Sequence, residues 1–388
     1  MSPLLIQSAT SFVLTLLLIT IFARFAGGLR LTDEPDARKR HLGEVPLVGG
    51  LAMFLVLAIG AFVWGDQSHT IITVNGNQAL WVFLFGGAVL VVTGALDDRY
   101  DLGIAMRVLS EVAAALILIE GLDLRVVDLG NLIGLGPVHM SPSIGYPFTV
   151  VAIFGIINAF NMLDGMDGLL ASLVLVTLLT FHSFTETTPG FVSLFIGASL
   201  LAFLCSNLKL FPFIPKTFLG DAGSKLLGFI TVSLILAATS QQIGGVKLIQ
   251  PVTALFVVGL PLYDMVSITL RRTLRGVNPL GADRSHIHHL LKALGFSDLR
   301  ALAIILALGS SIPITGLMLH RSGAAEPHQL AIFVGGFALY AFLTAQAWRV
   351  AQLIDTQKNV SFNFSTEVRQ CSDDNSASTS SKITHLYR

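Results

Sequence analysis

Charge is what this chain has least of. Only 12% of its 388 residues are Asp, Glu, Lys or Arg, about half the share of an average soluble domain. Hydrophobic residues make up 53%, and the mean hydropathy is +0.74. That balance excludes an ordinary soluble enzyme and identifies a polytopic membrane protein. The net charge is zero, so there is no basic excess to suggest nucleic acid as a partner. Cysteine is nearly absent. Cys205 lies in an apolar run and Cys371 in a polar tail; they read as two thiols without a role and say nothing of the redox compartment. The N-terminus lacks a basic stretch before its first apolar run, and lacks a small-residue cleavage site. Residues 4–26 therefore read as a retained first span and not a signal peptide. No internal repeat and no soluble domain are visible.

What is abundant is long apolar sequence. Runs long enough, or nearly so, to cross a bilayer of roughly 30 Å fall at 4–26, 47–64, 79–96, 106–122, 147–163, 169–184, 190–206, 225–240, 251–270, 299–319 and 328–348. The expected fold is an all-α polytopic integral membrane protein with about eleven transmembrane helices. Residues 1–350 form the transmembrane domain, and 351–388 a polar cytoplasmic tail without order. Of the 24 lysines and arginines, only Arg125, Lys247 and Arg321 fall in the even-to-odd loops. Positive charge marks the cytoplasmic side, which puts the N-terminus outside and the C-terminus in the cytoplasm.

The same parity sorts the polar clusters, because two spans separate each from the next. All should emerge on the cytoplasmic face. The first loop carries Lys39, Arg40 and His41, followed by Pro46 and Gly49-Gly50. These bases either follow from topology alone or anchor an anionic headgroup or diphosphate. Asp97 and Asp98 close the third span; neighbouring carboxylates repel unless a cation or proton intervenes. The segment Asn158-Ala159-Phe160-Asn161-Met162-Leu163-Asp164-Gly165-Met166-Asp167-Gly168 sets two acids and two amides within ten residues between apolar runs. That composition suits an oxygen-lined site for a divalent cation or polar substrate. Phe218-Leu219-Gly220-Asp221-Ala222-Gly223-Ser224 reads either as a phosphate-binding helix start or as a simple N-cap. Asp283-Arg284-Ser285-His286-Ile287-His288-His289 could ligate a metal or donate to phosphate oxygens. With no cysteines beside them, and with acids elsewhere that favour hard cations, the histidines read as phosphate-side groups. Glu111 and Asp264 lie inside spans, as functional acids or as paired packing residues.

These five ordered motifs resemble the polyprenyl-phosphate N-acetylhexosamine-1-phosphate transferases over about residues 1–350. The resemblance implies transfer of N-acetylglucosamine-1-phosphate from UDP-N-acetylglucosamine to undecaprenyl phosphate, releasing UMP, with Mg²⁺ or Mn²⁺ as cofactor. It also implies a bacterial inner-membrane enzyme that starts O-antigen or enterobacterial common antigen synthesis. It assigns Asp221, with Asp98, as magnesium ligands, and Asp97 as the acid that deprotonates the lipid phosphate. Asp164, Asn207 and Phe218 fall to the nucleotide pocket. Asn158, Asn161, Asp167 and Arg284 are further polar site positions, and His286, His288 and His289 catalytic ones. The branch that makes the peptidoglycan lipid precursor has three consecutive histidines. Here Ile287 interrupts them, which argues for N-acetylglucosamine as the sugar. A homodimer through the spans is compatible with this reading, although no residue demands it. The alternative of a secondary transporter is disfavoured, because such proteins place acids near the midplane on inverted repeats.

Overall fold

The computed structural model describes residues 3–33, 43–65, 77–185, 190–240, 242–243, 246–276, 278 and 285–383, with side chains to Ile354. Lys39, Arg40, His41 and Arg284 lie outside the described residues.

The described chain is almost entirely helical. Its helices are α1 (Pro3–Leu29), α2 (Gly49–Trp64), α3 (Asn77–Tyr100), α4 (Ile104–Leu122), α5 (Pro142–Leu163), α6 (Leu169–Thr185), α7 (Phe191–Asn207), α8 (Gly220–Ser240), α9 (Pro251–Val257), α10 (Gly259–Leu274), α11 (Ile287–Ala293), α12 (Asp298–Arg321) and α13 (Glu326–Ile383). Two short antiparallel pairs complete it: β1 (Thr32–Asp33) with β2 (Val45–Pro46), and β3 (Gln242–Ile243) with β4 (Val246–Lys247).

By length and apolarity six of these helices can cross a membrane, or seven when α9 and α10 count as one bent span. This is fewer than the eleven expected. Helices α2, α6 and α7 are apolar but only 16–17 residues long, and α4 carries Arg107, Glu111 and Glu120. Each expected span nevertheless coincides with a helix or with the bent pair. The bend is 86°, and its cause is local. Pro261 has no N–H to give to the carbonyl of Val257, so α9 cannot continue into α10. At the other boundary that proline obscures, α5 begins at Pro142 and not at Pro147. Ser141 precedes it in extended conformation, and Pro142 sits at the first helical position, where a missing N–H costs nothing.

Helix α8 is the hub. Every residue from Ala222 to Ala238 is buried, as expected for a helix apolar on all sides. It packs against α2, α3, α5, α6 and α9. At its N-terminal end the approach is backbone to backbone. A Cβ on Gly50 would fall on the main chain of Gly223. One on Gly94 would lie 2.5 Å from Ala222 Cα. Only glycine permits this spacing. Because Gly94 lies one helical turn before Asp98, the same contact delivers that acid to the start of α8.

We expect Gly94→Val to cost about 1–3 kcal/mol through overpacking and to lower the thermal midpoint of the detergent-solubilised protein. Gly335→Ala, which meets nothing within 4 Å, should leave that midpoint unchanged or slightly higher. Equal midpoints for Gly94→Val and wild type would show that this contact is not tight.

Candidate active site

Four loops and two helix ends meet at the N-terminus of α8. The strand entering α2 lies along the segment that enters α8. Phe218 N donates to Pro46 O at 2.9 Å, Gly49 N to Phe218 O at 3.0 Å, and Gly50 N to Leu219 O at 3.1 Å. Thr217 Oγ1 donates to Pro46 O at 2.7 Å. The β1–β2 pair joins Thr32–Asp33 to Val45–Pro46 beside this segment.

The two adjacent acids of α3 face different neighbours. Arg107 Nε lies 2.9 Å from Asp97 Oδ1 and 2.8 Å from Oδ2, and Leu102 N donates to Oδ1 at 2.9 Å. Asp97 is thus tethered to the start of α4. Asp98 turns to α8, where Oδ1 accepts from Asp221 N at 3.0 Å. Its Oδ2 is buried and accepts no hydrogen bond. Gly220 adopts φ +68°, and a Cβ there would sit on Asp98 Oδ2. Lys225 Nζ lies 3.7 Å from Asp97 Oδ2 and 3.6 Å from Asp221 Oδ2. A single ammonium touching both carboxylates puts them well inside the ~15 Å at which a shared site would fail.

The segment after α5 is folded back onto the same place. Asn161 Oδ1 accepts from Ser224 Oγ of α8, and Asn158 Nδ2 donates to Glu111 Oε2 at 2.6 Å. Lys216 Nζ pairs with Asp167 Oδ2 at 2.6 Å and stands 5.2 Å above the Phe218 ring. Asn207 Oδ1 accepts from Gly168 N at 2.6 Å, while its Nδ2 donates to Thr217 O at 2.9 Å. Both ends of this buried amide are therefore spent bracing two loops, and not turned toward a ligand as the resemblance implies. Asp164 is half-buried. Burial, and then the charges of Asp221, Asp98 and Asp167, push its carboxyl up to about 8.

The histidines arrive on α11 and its N-cap, against Asp264 of α10. Asp264 Oδ2 lies 2.7 Å from His286 Nδ1, and its Oδ1 accepts from Tyr340 of α13 at 2.7 Å. His288 is buried, with neither ring nitrogen hydrogen-bonded. Its ring is parallel to that of His286 at 5.8 Å and lies 4.2 Å from that of His289. A Cβ on Gly165 would strike the His288 ring, so this glycine lets the Asp164–Asp167 loop touch the histidine segment. Burial, helped by the positive ends of His289, His286 and Lys292, holds His288 down at about 3. It is a neutral imidazole with a free donor and a free acceptor.

Among the described residues no three His, Cys, Asp or Glu side chains form a metal cage. The arrangement still fits magnesium, which characteristically takes one or two carboxylates and completes its shell with phosphate oxygens and water. The open, buried Asp98 Oδ2 beside Asp221 is the oxygen such an ion would need.

Three residues important to this geometry were not singled out by sequence reasoning. Lys225, Lys216 and Arg107 appeared only as bases in loops, and nothing in their spacing shows that they point inward.

A family model described as "Glycosyl transferase family 4" matches residues 80–239, which contain four of the six converging pieces. Similar proteins extend the likeness to nearly the whole chain. The "Undecaprenyl-phosphate alpha-N-acetylglucosaminyl 1-phosphate transferase" of Salmonella typhi is 34% identical over 360 residues, 89% of this chain and 92% of that protein. The protein of the same name from Escherichia coli (strain K12) is also 34% identical, with the same coverage. That of Haemophilus influenzae is 32% identical over 90% of this chain and 96% of its own. This chain belongs to glycosyl transferase family 4, the polyprenyl-phosphate N-acetylhexosamine-1-phosphate transferases.

A histidine that is neutral when folded but titrates near 6.5 when unfolded makes the unfolded state bind more protons, so stability falls as pH falls below 6.5. His288→Gln should therefore lose less thermal stability than wild type between pH 7 and pH 5, by roughly 1–2 kcal/mol. Parallel pH profiles for the two proteins would contradict the buried neutral imidazole.

Proposed function

We propose that this protein transfers N-acetylglucosamine-1-phosphate from UDP-N-acetylglucosamine to undecaprenyl phosphate at the cytoplasmic face of the bacterial inner membrane. The observation that carries the reading is the pairing of Asp98 and Asp221 around an open carboxylate oxygen. It occurs in a chain alignable with transferases of that name over nearly its full length. The downstream polymer is O-antigen or enterobacterial common antigen. Helices α2, α4, α6 and α7 join the longer ones as spans, eleven in all. The basic residues place the N-terminus outside and the tail in the cytoplasm.

An oxygen of the lipid phosphate attacks the β-phosphorus of the nucleotide sugar. The bond from that phosphorus to the bridging oxygen breaks, and UMP departs with the electron pair. Two anions must meet, so positioning and charge neutralisation carry most of the catalysis. Asp98 and Asp221 would hold Mg²⁺ or Mn²⁺. When bound, the ion neutralises the diphosphate and the leaving phosphate. Asp98, and not the tethered Asp97, would present its open oxygen to that ion. Asp97 serves it by fixing the end of α3 to α4. The first N–H groups of α8 favour anions at the same point.

His288, with donor and acceptor both open, meets the sugar-phosphate from the opposite side. His286, oriented by Asp264, and His289 flank it. Asp164 and Phe218 line the nucleotide side, with Asp167 and Asn207 holding that wall and Asn158 and Asn161 its floor. Lys39, Arg40, His41 and Arg284 supply positive charge to the phosphates.

The experiment is UMP release by purified protein given UDP-N-acetylglucosamine, undecaprenyl phosphate and Mg²⁺. Asp98→Asn and Asp221→Asn should each lower kcat at least ~100-fold while the protein remains folded. EDTA should abolish activity, and added Mg²⁺ restore it. No UMP from any UDP-sugar, with a competent lipid acceptor present, removes this reading.

A further inference from the structure

Lys225 has no part in the chemistry just described, yet among the described residues it is the most deeply buried cation near it. Its side chain is 2% exposed, and a lysine is retained in such a place only when paired. Its partners are three carboxylates from three helices. Glu111 Oε1 of α4 lies at 3.4 Å, Asp221 Oδ2 of α8 at 3.6 Å and Asp97 Oδ2 of α3 at 3.7 Å. No one of them holds the ammonium closely; it is shared. The other charged groups around it are Asp98 of α3, bonded to Asp221 N, and Arg107 of α4, bonded to Asp97. Glu111 is itself fixed, since its second oxygen accepts from Asn158. Four formal negative charges thus face two positive ones. The excess that remains invites a divalent ion, and the lysine limits that excess.

A packing role alone would be filled by one partner, or by an apolar side chain at less cost. Contact with both the tether of α3 and the acid proposed to ligate the metal is a different arrangement. We propose that Lys225 is a resident cation of the reaction centre. As a positioning residue it sets the spacing of Asp97 and Asp221, and it competes with the divalent ion for Asp221. Glu111 and Asn158 hold its ammonium in place. The proposal rests on the transferase reading of this site.

The test uses the full chain in detergent with Lys225→Met, Lys225→Arg and Glu111→Gln. Two quantities are read: the Mg²⁺ concentration giving half-maximal UMP release, and the Mg²⁺ concentration giving half the thermal shift without substrates. In Lys225→Met both should fall about tenfold, because a competing charge a few ångströms from the ion is gone. The KM for UDP-N-acetylglucosamine should rise severalfold, since the site then carries one positive charge less toward the diphosphate. Lys225→Arg, which keeps the charge, should return both Mg²⁺ midpoints to within about threefold of wild type. Midpoints in Lys225→Met equal to wild type in both readouts overturn the proposal, whatever happens to kcat.

Should Lys225→Met fail to fold, Glu111→Gln decides. It leaves the ammonium only Asp97 and Asp221, so the Mg²⁺ midpoints should rise about tenfold, and unchanged midpoints reject the idea. The two readings fail separately. A wild-type protein that releases UMP while the variants keep its Mg²⁺ midpoints removes the lysine proposal alone. A wild-type protein that makes no UMP removes the transferase reading, and the substrate-free thermal arm still judges the lysine.

Discussion

Carboxylates crowded at the end of an apolar bundle repel one another and lose hydration, and the structure around them is a set of answers to that cost. Arg107 answers Asp97, Lys216 answers Asp167, and Lys225 is divided among Asp97, Glu111 and Asp221. Asp264 is answered by His286 and Tyr340. Asp98 receives a main-chain N–H on one oxygen and nothing on the other. Asp164 has only other acids about it, and the buried Oδ2 atoms of Asp97 and Asp98 accept no hydrogen bond, so the unanswered charge gathers where α3 meets α8. Charges of this kind are rarely worth their desolvation as stability devices, so their retention argues for use.

The repulsion could not be balanced this way unless the helices came unusually close. The glycines at 50, 94 and 223 allow main chain to touch main chain where α2 and α3 meet α8. Gly165 lets the main chain of the acidic segment meet the His288 ring. Side-chain packing elsewhere keeps helix axes about 8–10 Å apart, a spacing at which Asp98 could not reach the first N–H groups of α8. The glycines are therefore part of the electrostatics. They bring donors within reach of carboxylates that would otherwise remain unanswered.

Much of this was legible in the sequence. Each apolar run coincides with a helix or with the bent pair, and the motifs at 97–98, 158–168, 221 and 286–289, expected to share one face, lie together. Parity assigns each loop a side from the order of the apolar runs, with no knowledge of packing. It fails where direction within a helix matters. Lys225 begins an apolar run and reads as a flanking base, yet α8 is surrounded on all sides and the lysine has no outward face to occupy. Asn207 matched a ligand-binding position, but its amide is consumed by Gly168 and Thr217. Which face of a helix end is covered depends on loops distant in sequence. Periodicity carries no record of that. The bend at Val258 and the start of α5 were missed for another reason: a proline marks a missing donor without saying whether the helix stops there or merely begins.

The division of labour between Asp97 and Asp98 follows from the same geometry. Successive residues on an α-helix point about 100° apart, so two adjacent acids meet different sets of neighbours. Helices α4 and α8 flank α3; Arg107 of α4 holds Asp97, which Lys225 of α8 also approaches, and the start of α8 holds Asp98. The α4 side offers a guanidinium, which hydrogen-bonds Asp97 Oδ1 and lies 2.8 Å from Oδ2. The α8 side offers a helix N-terminus, whose first N–H groups reach Asp98 and leave its Oδ2 without a hydrogen bond. A guanidinium is a mobile counter-ion that saturates a carboxylate; a helix terminus is a fixed partial charge that orients one and leaves it unsaturated. The tandem acid is thus one anchor and one open ligand. The anchor matters because an unsaturated carboxylate keeps its aim only on a helix end that cannot fray.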